Sequence, residues 1–125
     1  EDCSMEATAL RETFEEIGVS SDKITVLREL SSLYIPPSNF LVAPFLGIAE
    51  SPLTFTLQES EVESILEVPL TEFLNKKSEV FSEVLTAEGS IYNVPAFKLS
   101  GRIVWGATAM MLIEIKTMIN QVVKK

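Results

Sequence analysis

Apolar residues return along this chain in two periods, and turn residues mark where one period gives way to the other. From Met5 to Ile17 the spacing is helical, with Ala7, Leu10, Phe14 and Ile17 every three or four residues. Ser4 stands where an N-cap is needed, and Glu6 falls in the first turn, where the helix dipole favours an acid. Gly18 follows the last turn, where a left-handed C-cap carries no steric cost without a β-carbon. Ile24 to Leu30 reads as a strand. Ser31 to Asn39 holds the pair Pro36 and Pro37, which forbids a regular helix and predicts a loop. Phe40 to Ile48 reads as one central strand, with Pro44 at a bulge or an edge.

Further on, Ser51 to Glu59 contains a turn and a short alternating segment. Glu63 to Val68 reads as another strand, stopped by Pro69, and Leu70 to Leu74 as a helical turn or two. Asn75 to Lys77 is a solvated turn. Val80 to Leu85 and Ile91 to Phe97 pair as a hairpin about Glu88 and Gly89. A last helix is expected from Arg102 or Ile103 to Val122. Its Ile103–Ile113 half is apolar almost all round, which predicts burial, with Trp105, Met110 and Met111 filling the core. Lys124 and Lys125 suit the negative end of its dipole.

Strands between a first and a last helix predict an α/β sandwich, a mixed β-sheet with helices on its faces. The strands do not alternate regularly with long helices, which argues against a doubly wound sheet. No linker separates two domains, so residues 1–125 are expected to form one.

Composition narrows the function. Ten Lys and Arg against 18 Asp and Glu leave a net charge of −8 and no basic stripe for a phosphate backbone, so no nucleic-acid partner is expected. With no His, a His-based triad, a His-ligated zinc and a His-held haem are excluded within the chain. The single cysteine, Cys3, allows no internal disulfide, which suits a cytoplasmic setting. The chain opens on acidic residues, with no secretory signal. The stretch from Ile103 to Ile113 is far short of the ~20 residues that span a bilayer, so no membrane partner is expected.

The residues richest in chemistry are Arg11 to Gly18, "RETFEEIG". Glu12, Glu15 and Glu16 share one face of the helix, where like charges repel. By spacing alone, this is either a solvated face in an acidic chain or a site whose repulsion a hard cation relieves. Magnesium or manganese prefers such oxygen donors. Arg11 can pair with one carboxylate and hold its rotamer.

"TALRETFEEIGV", Thr8 to Val19, resembles the second half of the Nudix box: Arg-Glu, two residues, Glu-Glu, one residue, Gly and an aliphatic residue. Arg11, Glu12, Glu15, Glu16, Gly18 and Val19 match it position by position. Within that superfamily the chain is most similar to coenzyme A pyrophosphatases. Asp2 followed by "TALRE" resembles that subgroup's form of the box. "YIPPSNFLVAPFLG", Tyr34 to Gly47, resembles the loop and strand after it, and "IVWGATAMML", Ile103 to Leu112, the start of their last helix. The glycine-rich loop and first strands of a complete Nudix domain would lie before Glu1. The domain is therefore expected to be N-terminally truncated, or to borrow a strand from a second copy in a homodimer.

The resemblance implies a Nudix-type α/β/α sandwich and metal-dependent hydrolysis of a pyrophosphate bond. The substrate would be coenzyme A or a CoA ester, giving phosphopantetheine and adenosine 3′,5′-bisphosphate. ADP-ribose or a nucleoside triphosphate is the rival substrate, and a binding module without turnover the rival role. Glu12, Glu15 and Glu16 correspond to the ligands of magnesium or manganese, and Arg11 to the arginine that orients them. A further carboxylate is expected as base or extra ligand. Glu61 is preferred, with Glu63, Glu79 and Glu83 as rivals. Tyr34, Ser38 and Asn39 lie in a loop that either lines the substrate cleft or only closes a turn. Cys3 corresponds to no catalytic position.

Overall fold

The computed structural model describes residues 3–35, 38–62 and 64–123. Asp2, Pro36, Pro37, Glu63, Lys124 and Lys125 lie outside the described residues, so the expectations resting on them stay as stated. The fold is α/β, as its alternating periods predict. Among the described residues the strands pair antiparallel in four ladders, which make up three sheets. The chain divides into two compact units, Glu1–Ile65 and Leu66–Lys125. Among the described residues no helix is long and apolar enough to cross a membrane.

The first unit opens with α1, Met5–Ile17, within the expected bounds. Ser4 Oγ accepts the Ala7 N–H at 3.1 Å, and Gly18 closes the helix at φ 76° with its N–H on the Phe14 carbonyl at 2.9 Å. After a 3-10 turn at Ser21–Lys23 come β1, Thr25–Glu29, β2, Leu33–Ile35, β3, Phe40–Val42, and β4, Phe45–Ile48.

The single strand expected over Phe40–Ile48 is two strands with different partners: β3 pairs β2, and β4 pairs β1. Pro44 lies between them. It has no N–H to continue a ladder, while its carbonyl accepts the Leu30 N–H at 2.8 Å. The expected Ser31–Asn39 loop correspondingly contains β2. The β1–β4 register slips between Val26 and Arg28, so Leu27 is an added residue in a bulge. Val19 and Leu30, on either side of β1 in sequence, are buried. An apolar gap of about 250 Å³ separates Ala9, Leu10 and Thr13 of α1 from Val26, Phe45 and Ile48 of the strands.

The second unit holds α2, Leu70–Leu74, a 3-10 turn at Lys76–Ser78, β5, Glu79–Leu85, β6, Ile91–Leu99, β7, Arg102–Val104, and α3, Gly106–Val123. The β5–β6 hairpin forms as expected. The strand expected from Glu63 to Val68 does not form over residues 64–68. Its apolar residues find no ladder, and Val68 packs instead against the core of the second unit.

The last helix also starts later than expected. Ser100 and Gly101, at φ 49° and 80°, make a two-residue hairpin turn that sends Arg102–Val104 back along β6 as a third strand. The Glu72 carboxylate fastens this turn, accepting the Ser100 N–H at 2.6 Å. Because α3 packs one stripe inward, its first half is not buried all round. Ala109, Leu112, Ile115 and Ile119 join Phe73, Phe97 and Leu99 in the core. Trp105 and Met110, expected inside, stand about half exposed, and Met111 is intermediate.

On the same helix Lys116 is buried, and its ammonium has three acceptors: Glu79 Oε2 at 2.8 Å, the Asn75 carbonyl at 3.1 Å and Ser78 Oγ at 3.2 Å. The rings of Phe73 and Phe97 lie 5.9 and 5.6 Å away. Lys116→Ala removes this hub and leaves buried Ser78 without its Lys116 donor. It is expected to cost about 2–3 kcal/mol by urea unfolding, below the usual penalty for a broken buried pair because Glu79 is half exposed. Lys116→Met, which keeps the stem, should cost less than half of that.

Candidate metal and phosphate site

The α1 glutamates meet a second segment through main-chain hydrogen bonds. Residues 53–58 form no ladder strand, but Leu53, Phe55 and Leu57 alternate inward, as the expected short alternating segment requires. Thr56 donates to the Ile17 carbonyl at 2.9 Å, and Gln58 to the Glu16 carbonyl at 2.8 Å. These donors satisfy carbonyls that the end of a helix leaves without partners. The segment then turns, with Glu61 and Val62 both donating to the Gln58 carbonyl at 2.9 and 2.8 Å.

Gly18 is required twice at this junction. Its φ of 76° disfavours any other L-residue, and a β-carbon there would stand 2.9 Å from Thr56 Cβ. Gly18→Ala is therefore expected to lower stability by about 2–4 kcal/mol, adding left-handed strain to overpacking. Thermal unfolding of the chain measures this. An unchanged melting temperature would show that Thr56 does not press on the helix end.

A cleft of about 550 Å³ results, lined by Glu12, Phe14, Glu15, Glu16, Gln58 and Glu61. The three glutamates singled out by spacing thus share a wall with Glu61, the preferred distant carboxylate. Glu12, Glu15 and Glu61 are exposed, and Glu16 is half buried. Arg11 donates through Nη1 to Glu15 Oε1 at 3.0 Å, the expected pairing, with both side chains about half exposed. This i, i+4 contact orients a carboxylate but contributes little to stability.

The donor set is four carboxylates on one cleft, the hard-oxygen chemistry that magnesium or manganese takes. Among the described residues, no three of the acidic side chains already stand as a group that could hold an ion. The donors fit by kind and by neighbourhood, and the exposed side chains of Glu12, Glu15 and Glu61 have room to converge on Glu16.

Tyr34 and Asn39 meet at the β2–β3 connection, and Ser38 bonds back to Ile35 beside them. The Tyr34 hydroxyl donates to Asn39 Oδ1, and Ser38 Oγ donates to the Ile35 carbonyl at 2.6 Å. Asn39 takes φ 61°, which Asn tolerates. None of the three lines the carboxylate cleft. Of the rival carboxylates, Glu79 is engaged by Lys116, and Glu83 stands opposite Asn93 on the β5–β6 ladder. Cys3 is exposed and free. Gln58 was not singled out by sequence; only the alternation of Leu53, Phe55 and Leu57 hinted that it faces away from them.

No family model matches the chain. Individual proteins do. It is 32% identical over 114 residues to "Uncharacterized Nudix hydrolase NudL" of Photorhabdus laumondii, covering 91% of the chain and 60% of that protein. NudL of Yersinia enterocolitica is 29% identical over 120 residues, 96% of the chain and 60% of that protein. Nudix hydrolase 3 of Caenorhabditis elegans is 29% identical over 133 residues, 94% of the chain and 55% of that protein. The chain thus spans between one half and two thirds of these relatives. Over more than nine-tenths of its length, this chain is similar to proteins named as Nudix hydrolases.

Proposed function

We propose that the chain forms the metal-binding part of a Nudix domain that hydrolyses the pyrophosphate bond of a nucleoside diphosphate derivative, coenzyme A or a CoA ester. The supporting observation is the cleft in which Glu12, Glu15 and Glu16 of α1 face Glu61 from a separate segment. The resemblance of Tyr34–Gly47 and Ile103–Leu112 to coenzyme A pyrophosphatases supports the substrate.

In this reading Glu12, Glu15 and Glu16 hold magnesium or manganese, and Arg11 keeps Glu15 in place. When bound, the cation neutralises phosphate oxygens and acidifies coordinated water. Glu61 accepts a proton from the water that attacks phosphorus, or adds an oxygen donor. Tyr34 and Asn39 then meet the nucleotide end of the substrate. The setting is the cytoplasm, and the substrate is a free small molecule.

Turnover of coenzyme A, ADP-ribose and a deoxynucleoside triphosphate with magnesium, read by phosphate-bond cleavage, tests the assignment. Release of adenosine 3′,5′-bisphosphate from coenzyme A in excess of the other reactions is expected. Preferred cleavage of ADP-ribose or the triphosphate would move the substrate. Binding without cleavage of any of them would make the domain a ligand-binding module.

A further inference from the structure

Beside the Thr56–Ile17 bond, Gln58 ties together the two segments that carry the cleft's carboxylates. Gln58 donates its main-chain N–H to the Glu16 carbonyl at 2.8 Å, and its own carbonyl accepts the N–H groups of Glu61 and Val62 at 2.9 and 2.8 Å. The peptide groups of Gln58 therefore sit between the last turn of α1 and the turn that presents Glu61. The side chain is turned to its own segment, its amide donating to Ser60 Oγ at 3.2 Å. Gly18 allows the close approach, since any β-carbon there would meet Thr56.

We propose that Gln58 is a positioning residue whose main chain sets the separation between Glu16 and Glu61, and so recruits Glu61 to the cations held by α1. The inference rests on the reading of the cleft as a divalent-cation site. An exposed glutamate on a free loop would lose chain freedom each time it joined a shared ion. Fixing its turn to the helix beforehand removes much of that loss, as a supporting shell does for any site. The role belongs to the main chain, so proline and alanine at position 58 should behave differently.

Manganese titration, followed by the spin resonance of the free ion, reads the effect without turnover. Glu61→Gln is expected to weaken manganese binding about tenfold. Gln58→Pro, which removes the N–H, should weaken it by a similar factor. Glu61→Gln added to Gln58→Pro should then change it by less than about twofold, the non-additivity of two changes on one coupling. In a Gln58→Ala background, where the N–H remains, Glu61→Gln should still cost about tenfold. Amide exchange should show the Glu61 and Val62 N–H groups protected in the Gln58→Ala chain and unprotected in Gln58→Pro.

A glycine inserted after Glu59 guards against misfolding of the proline variant. It leaves the Gln58–Glu16 bond in place, displaces Glu61, and should abolish the Glu61 effect in the same way. Additive losses, or unchanged affinity in both the proline and the insertion variants, would overturn the positioning role alone. A wild-type chain that binds no manganese would overturn the cation reading and the positioning role with it.

Discussion

For the proposed hydrolase, Glu16→Gln is expected to lower metal-dependent turnover about a thousandfold, within the range that a removed acid–base or ligating group commands. The substitution keeps size and hydrogen-bonding capacity but removes the charge that attracts a cation. The main chain of Glu16 already accepts the Gln58 N–H, so the residue's place does not depend on its side chain. Glu16 lines the cleft and is half buried, so bulk water cannot fully replace the lost carboxylate. The variant should melt within about a degree or two of the parent, since replacing one of three crowded acids relieves repulsion. Steady-state rates at saturating magnesium measure the loss. A decrease below about threefold would remove Glu16 from the chemistry and leave the shared wall of glutamates a solvated surface.

The largest loss of stability is expected at Phe97. Phe97→Ala should cost about 3–5 kcal/mol, the usual range for emptying a buried aromatic site. Its side chain is 1% exposed, and its ring lies 5.6 Å from that of Phe73 at a tilt of 43°. Lys116 Nζ stands 5.6 Å from the same ring. The residue is fixed from both sides, since β6 pairs it with Glu79 of β5 and with Val104 of β7. Removing the ring therefore opens a cavity between sheet and helix that the ladders hold open, and it withdraws one of the two aromatic faces next to Lys116. Phe97→Leu, which refills part of the space, should cost under about 2 kcal/mol. Urea unfolding gives both values. A loss below about 1 kcal/mol for alanine would mean that the core of the second unit collapses freely.

The amino-acid sequence by itself determined α1, its Ser4 and Gly18 caps and the common face of Glu12, Glu15 and Glu16, because capping and helical periodicity act within a few residues. The β5–β6 hairpin was legible for the same reason: its partners lie next to each other along the chain. The Nudix resemblance of Arg11–Val19 was equally local, and relatives along nearly the whole chain support it. What tertiary structure decided were the matters of partnership. Phe40–Ile48 divides at Pro44 because its two halves meet β2 and β1. Arg102–Val104 becomes a strand because the Ser100–Gly101 turn returns it to β6, although an apolar run of that kind suits a helix equally well. Met110 stays at the surface because one stripe of α3 suffices to cover the core, and Trp105 stands exposed just before the helix begins. Lys116 goes inside because three acceptors wait there for its ammonium, an arrangement no periodicity announces. Glu61 reaches the cleft of the α1 glutamates through the main-chain bonds of Thr56 and Gln58 to the end of the helix. Backbone donors are the same for almost every residue type, so their pairing leaves no mark in the sequence.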